Sequence, residues 1–119
     1  MDIEAFRQYC LGKPGTTEEL PFDNNTLVFK VMGKIFALCD IELFESINLK
    51  CDPEVAVRLR EDYDSLVLPG YHMNKKHWNT IVMNAEIPDS NIRHWINHSY
   101  ELVVSKLPKN ARLELKSLS

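Results

Sequence analysis

The sequence lacks the patterns that would assign it to several large classes of protein. Its apolar runs are short, such as IFALC at 35–39, far below the roughly 20 residues that a membrane-spanning helix needs. Its opening, MDIEAFRQYCLG, places acids rather than a basic segment before the few apolar residues, which is unlike a secretory signal. We therefore expect no membrane association and, by default, a cytoplasmic protein.

Glycine and cysteine are also too sparse to support common catalytic motifs. The four glycines are isolated at positions 12, 15, 33 and 70, so no phosphate-binding loop is present, and GxSxG is absent as well. The three cysteines form no CxxC pair and are interpreted as reduced, buried thiols. The acid pairs Glu18-Glu19 and Asp62 with Asp64 fall in predicted loops or at a helix end, where carboxylates are usually solvated. We expect no enzyme and no cofactor.

The composition is that of one ordinary domain with an uneven charge distribution. The 119 residues are 45% hydrophobic and 26% charged, with a net charge of −3, and no linker or repeat divides them. Residues 1–70 hold seven basic and thirteen acidic groups, whereas residues 71–119 hold seven basic and four acidic groups. A polyanion partner is therefore compatible with the second half of the chain despite the negative total.

Hydrophobic periodicity predicts eight elements in one domain over residues 1–119. A helix capped by Asp2 is followed by three strands, a middle helix beginning at Asp52-Pro53-Glu54, two strands and a long helix over 90–107. The segment 16–25 is interpreted as polar and turn-forming, and the tail after Pro108 as only weakly periodic. The order α-β-β-β-α-β-β-α predicts an α+β fold, a mainly antiparallel sheet with helices packed on one side.

His94 and His98 have the i, i+4 spacing that can place two imidazoles on one metal ion. The residues between them, Trp95, Ile96 and Asn97, do not include the glutamate of an HExxH motif. Two histidines on the solvated face of a helix are the favoured interpretation, and no metal site is predicted.

The stretch PGYHMNKKHWNT at 69–80 is the best candidate for a working surface. Lys75 and Lys76 at a loop tip can neutralise phosphates, while His72 and His77 can donate hydrogen bonds. Tyr71 and Trp78 can either stack on bases or anchor the turn to the core, and a tryptophan in an alternating strand favours the core.

Four stretches of the sequence resemble the MmcQ/YjbR family of small bacterial proteins. They are LVFKVMGKIFAL, INLKCDPEVAVRLRE, VLPGYHMNKKHWNTI and SYELVVSKLPK. The resemblance covers nearly the whole chain, and PGYHMNKKHWNT is its most specific part. The family's motif positions fall here on Lys34, Lys50, Pro53, Glu54, Pro69, Gly70, Tyr71, His72, Asn74, Lys75, His77, Trp78, Asn79, Ser99 and Tyr100.

The resemblance implies a fold like that of the CyaY/frataxin proteins and a DNA-binding role without enzymatic activity. Frataxin-like iron binding does not transfer with the fold, because the first helix offers only Asp2 and Glu4 as acids. The first hypothesis is weak, salt-sensitive binding of DNA through its backbone by a protein taken as monomeric by default. Its candidate residues are Lys34, Lys50, His72, Lys75, Lys76 and His77.

The second hypothesis is a binding protein for a small molecule or a protein partner. Its pocket would be lined by Tyr71, His72, Asn74, His77 and Trp78, because hydroxyl, amide, imidazole and indole groups suit oriented hydrogen bonding in a concave site. The most informative observation is the direction in which Trp78 and Lys75 point relative to the sheet, since a buried Trp78 cannot stack on a base and leaves only the lysine contacts.

Overall fold

A computed structural model of the chain describes residues 1–70, 73–84 and 86–118. Within these residues, six antiparallel strands form one sheet in the order β1-β2-β3-β4-β6-β5, and four helices accompany it. The elements are α1 (Ile3–Leu11), β1 (Thr16–Glu19), β2 (Thr26–Val31), β3 (Lys34–Asp40), β4 (Ser46–Lys50), α2 (Pro53–Asp62), β5 (Val67–Pro69), β6 (Trp78–Val82), α3 (Asp89–Ser105) and α4 (Lys109–Leu118). The predicted α+β fold is confirmed.

The eight predicted elements are present, and two further elements, β1 and α4, join them. β1 has the polar sequence TTEE at the edge of the sheet. Nε of Arg7 in α1 donates a hydrogen bond to Oε2 of Glu18 in β1 at 2.8 Å, so β1 is held by a polar contact and not by a buried apolar side chain. In α4 only Leu115 is buried, while Leu113 and Leu118 are exposed. Both segments therefore lack the periodic apolar pattern by which such elements are recognised in a sequence.

The main core lies between the sheet and the helices. Alternate strand residues such as Phe29, Leu49 and Ile81 face the helices and belong to one cluster with Phe6 of α1 and Ile96 of α3. This period of two places the side chains between them on the other face of their strands. The helices therefore cover one side of the sheet, as predicted.

A β-bulge in β3 is held by a buried serine of α3. Phe29 pairs with Ala37, whereas the next residue, Lys30, pairs with Ile35, so Phe36 has no partner on β2. The fully buried Ser99 donates a hydrogen bond from Oγ to the Phe36 carbonyl at 2.5 Å and accepts one from the Lys50 amide at 2.9 Å. One hydroxyl thus satisfies backbone groups of two adjacent strands and fixes the helix above them.

The β2–β3 hairpin closes through a two-residue turn at Met32 and Gly33. Their φ angles are 48° and 83°, which is the pattern of a type I′ turn and explains the glycine at the second position. This tight turn places Lys34, the first residue of β3, directly at the end of the sheet.

No helix in the described part of the chain is long and apolar enough to cross a membrane.

Candidate nucleic-acid interface

The antiparallel topology gathers basic side chains at one end of the sheet. β2 ends, β3 begins, β4 ends and β6 begins at this end, because each of these strands pairs antiparallel with its neighbour. Lys34 and Lys50, which are 16 positions apart in the sequence, are thereby brought together. The amide of Cys51 donates to the carbonyl of His77 at 2.7 Å, so the loop that carries Lys75 and Lys76 lies at the same end.

A groove of about 420 Å³ opens between the β2–β3 turn and the C-terminal end of α3. Four lysines line it: Lys30, Lys34, Lys50 and Lys106. Apolar atoms of Ile35, Val103 and Leu107 complete its wall. Lys30 and Lys106 are not among the candidate DNA-binding residues predicted from the sequence. A lysine that follows the last turn of a helix is favoured there by the helix dipole, but that signal does not show which strand it will face.

The lysines of the groove differ in their charge neutralisation. Lys30 forms an ion pair with Glu19, with Nζ and Oε2 at 2.8 Å. Lys34, Lys50 and Lys106 have no ion-pair partner among residues 1–70, 73–84 and 86–118. Partial burial, and then the positive charge of Lys106, lower the pKa of Lys50. The groove therefore holds uncompensated positive charge that a bound anion would neutralise.

Hydrogen bonds hold the backbone of residues 74–77, just before β6, and the lysine side chains of this segment are exposed. The side-chain oxygen of Asn74 accepts from the Lys76 amide at 3.0 Å, and its backbone carbonyl accepts from the amides of His77 and Trp78. The guanidinium of Arg60 donates to the Lys75 carbonyl. Lys75 and Lys76 are exposed and His77 is half-buried, so this segment presents two ammonium groups from a hydrogen-bonded backbone.

Arg60 connects this loop to the core through Asn79. Its Nε donates to Oδ1 of Asn79 at 2.7 Å, and the amide nitrogen of Asn79 donates to the carbonyl of Ala56 at 3.4 Å. Asn79 is only 1% exposed, so each polar atom of its side chain needs a partner within the protein. α2 is joined to β6 in this way, immediately beside the two loop lysines.

Two described members of the predicted pocket, Asn74 and Trp78, have structural roles. Trp78 is 9% exposed and pairs across the strands with Lys50, so its indole is not available for stacking on a base. Asn74 uses its side chain within the turn. Tyr71 and His72 lie outside the described residues, and the structure therefore tests neither their predicted contacts with DNA nor their place in a pocket.

The His94 and His98 pair lies in a different groove, between α2 and α3, with Arg58 and Asp62. Nε2 of His98 accepts a hydrogen bond from the amide of Asp52 at 3.3 Å, which places this imidazole at the N-terminus of α2. Across the described ranges, no group of three histidine, cysteine or acidic side chains is arranged to hold a metal ion.

The opposite end of the sheet carries acidic side chains. The loops at 20–25 and 41–45 meet there, because the amide of Ile41 donates to the carbonyl of Asn25 at 2.8 Å. Asp23, Asp40 and Glu42 lie in or beside these loops. Hydrogen bonds from the amides of Thr26 and Asn25 lower the pKa of Asp23, which keeps this carboxylate charged. The two ends of the sheet therefore differ in sign.

These features define a class: a small α+β protein with helices on one side of an antiparallel sheet and lysines collected at one end of it. A family model described as YjbR matches residues 11–102. The chain is 34% identical over 119 residues to protein YjbR of Escherichia coli, covering 99% of this chain and all of that protein (100%). It is 43% identical over 107 residues to Escherichia coli YbdF, covering 89% of this chain and 87% of that protein. The chain belongs to the YjbR family.

A solved structure supports the same assignment at the level of the fold. The crystal structure of the Deinococcus radiodurans protein DR2400 superposes with a TM-score of 0.90 at 37% identity, covering 96% of this chain and 87% of that one. A protein from Pseudomonas syringae superposes with a TM-score of 0.71 at 28% identity, covering 86% of this chain and 98% of that one. The names of these relatives state no activity.

Proposed function

We propose that the protein is a non-enzymatic module that binds the phosphate backbone of DNA through the basic end of its sheet. The observation that carries the proposal is the lysine groove, in which Lys34 and Lys50 from separate strands meet Lys106 without neutralising carboxylates among the described residues. Lys75 and Lys76 extend the same positive surface from the neighbouring loop.

The chemistry of this surface favours attraction to phosphates over reading of bases. Lysine ammonium groups act on phosphates as point charges, whereas base recognition requires groups that enter a groove or stack on a base. The buried indole of Trp78 offers no stacking platform. Binding is therefore expected to be weak, insensitive to sequence and steeply dependent on salt.

Binding without catalysis agrees with the groups that line the groove. Among the residues that the structure describes, the groove is lined by lysines, Gly33 and apolar side chains, with no carboxylate or imidazole to accept a proton. Burial raises the pKa of Cys39 to about 12 and that of Cys51 to about 11, so these thiols stay protonated at neutral pH and are poor nucleophiles.

The test is a salt titration of binding to a labelled DNA duplex, followed by fluorescence anisotropy from about 50 mM salt upward. The wild type should bind, and Lys34→Gln with Lys50→Gln should weaken binding and reduce the slope of log affinity against log salt by about 1.8, since each lost phosphate contact removes about 0.9. Lys75→Glu with Lys76→Glu should weaken binding further.

A matched control separates local contacts from total charge. Arg58→Gln with Arg93→Gln removes the same number of positive charges from exposed sites on α2 and α3 that do not line the lysine groove. It should change the slope much less than the Lys34 and Lys50 pair. The proposal is abandoned if wild-type protein binds neither duplex nor single-stranded DNA at low salt. It is also abandoned if the Lys34 and Lys50 double variant and the Arg58 and Arg93 double variant change the salt slope equally.

A further inference from the structure

We propose that the lysine groove receives the phosphate monoester at the 5′ end of a nucleic-acid strand, and that Lys34, Lys50 and Lys106 hold it. This inference rests on the proposed function and makes it more specific: the groove reads a terminal phosphate, and the loop lysines Lys75 and Lys76 contact the backbone that follows. The lining residues, the charge balance and the placement of the loop support it independently.

The charge balance favours a monoester over an internal diester. An internal phosphodiester carries one negative charge, whereas a phosphate monoester carries about −1.5 to −2 at neutral pH. Lys30 is already neutralised by Glu19, which leaves Lys34, Lys50 and Lys106 around one groove without carboxylate partners among the described residues. Three ammonium groups in one site match a dianion better than a monoanion.

The size and lining of the groove suit a terminal nucleotide. Its volume of about 420 Å³ is within the range of sites for small ligands, roughly 300–1,000 Å³. Apolar atoms of Val103 and Leu107 line it beside the lysines. One terminal nucleotide can therefore place its phosphate on the lysines and its sugar against these apolar groups.

The position of the loop gives the strand a direction. Lys50 is followed by Cys51, whose amide is 2.7 Å from the carbonyl of His77. The groove and the exposed Lys75 and Lys76 are therefore joined along the ends of β4 and β6. The terminal phosphate lies between the turn and α3, and the following phosphates pass toward the loop.

The experiment compares short single-stranded oligonucleotides of one sequence that carry either a 5′-phosphate or a 5′-hydroxyl. The 5′-phosphorylated strand should bind about tenfold more tightly at low salt, the effect of one strong charge-assisted contact. Lys106→Gln should abolish this preference, because it should weaken binding of the 5′-phosphorylated strand more than that of the 5′-hydroxyl strand, from which it removes only one backbone contact. Lys106 is exposed, so the substitution should not disturb folding, and Lys34→Gln provides a second variant with the same expectation.

Lys76→Gln is the matched control, because it removes one exposed lysine of the loop outside the groove. It should weaken both oligonucleotides by the same factor. Adenosine monophosphate is the probe for free nucleotides. If it displaces only the 5′-phosphorylated strand, the result supports the monoester site and shows that free nucleotides can also supply the bound phosphate. Absence of competition together with the 5′-phosphate preference assigns the site to strand ends.

Failure of this inference can be distinguished from failure of the proposed function. Equal, salt-sensitive binding of the 5′-phosphate and 5′-hydroxyl strands overturns the terminal-phosphate site and leaves backbone binding intact. A 5′-phosphate preference that survives both Lys106→Gln and Lys34→Gln also overturns it, since the phosphate would then be bound elsewhere. No binding of either strand, or of the duplex, overturns both proposals.

Discussion

Replacement of Ser99 by alanine tests how the fold supports the lysine groove. The hydroxyl of Ser99 is fully buried, donates to the carbonyl of Phe36 at 2.5 Å and accepts from the amide of Lys50 at 2.9 Å. Ser99→Ala leaves both backbone groups without this partner. The space vacated by one oxygen atom is too small to admit a water molecule that could replace it.

The expected loss of stability follows from these two bonds. A buried polar group left without a partner costs about 1–3 kcal/mol, so the free energy of unfolding should fall by about 2–4 kcal/mol. For a chain of 119 residues this corresponds to a decrease in Tm on the order of 10 °C. Urea unfolding can be followed by tryptophan fluorescence, since Trp78 and Trp95 are each only 9% exposed.

Ser105→Ala is the matched control on the same helix. Its hydroxyl donates only to the carbonyl of Leu102 at 2.7 Å in an exposed position, so the free energy of unfolding should change by less than about 0.5 kcal/mol. The reasoning about Ser99 is refuted if Ser99→Ala and Ser105→Ala are equally stable. An unchanged m-value in both variants is needed to attribute the difference to the native state.

Three further perturbations probe other parts of the structure. Gly70→Ala should destabilise the protein by about 1–3 kcal/mol, because an added Cβ would lie 2.7 Å from Cβ of Trp78 and 3.0 Å from its carbonyl oxygen; a Tm equal to wild type in a thermal scan would contradict this. Arg7 lowers the pKa of Glu18 mainly by hydrogen bonding. The ion pair therefore stabilises the folded protein above the pKa of Glu18 in the unfolded chain, about 4.3, and this stabilisation is lost as the pH falls through the pKa of Glu18 in the folded protein. Glu18→Gln should slightly flatten the decline in Tm measured below that pH, because solvent screens a part-exposed ion pair, and an unaltered acid profile would exclude the effect. The buried cysteine thiols should react with a thiol reagent at pH 8 only as the protein unfolds, and rapid labelling of native protein would disprove their burial.

The sequence contains enough information for the fold and for part of the candidate site. The periodic strands, the Asp52-Pro53 helix start and the apolar stripe of α3 predicted eight elements, because each buries a regular set of apolar side chains. β1 was missed because it is polar, and its partner Arg7 lies on a different element. α4 was missed because it buries little.

The basic groove shows a second limit of sequence analysis. Lys34 and Lys50 were recognised through the family resemblance, but their proximity depends on the register of β3 and β4 and on the bulge at Phe36. Lys106 was missed because helical periodicity predicts which face of α3 is buried. It does not predict which strand ends lie near the last turn of α3. Such positions become visible only when several elements are placed together.

The separation of charge between the two ends of the sheet has a kinetic consequence. A molecule with lysines at one end and Asp23, Asp40 and Glu42 at the other has an electric dipole along its strands, even though its net charge is only −3. In the field of a polyanion such a molecule turns before contact, so that a larger share of collisions begins with the lysine groove facing the phosphates. The arrangement would thus act on the association rate as well as on affinity, with an effect that fades as salt shortens the range of the field.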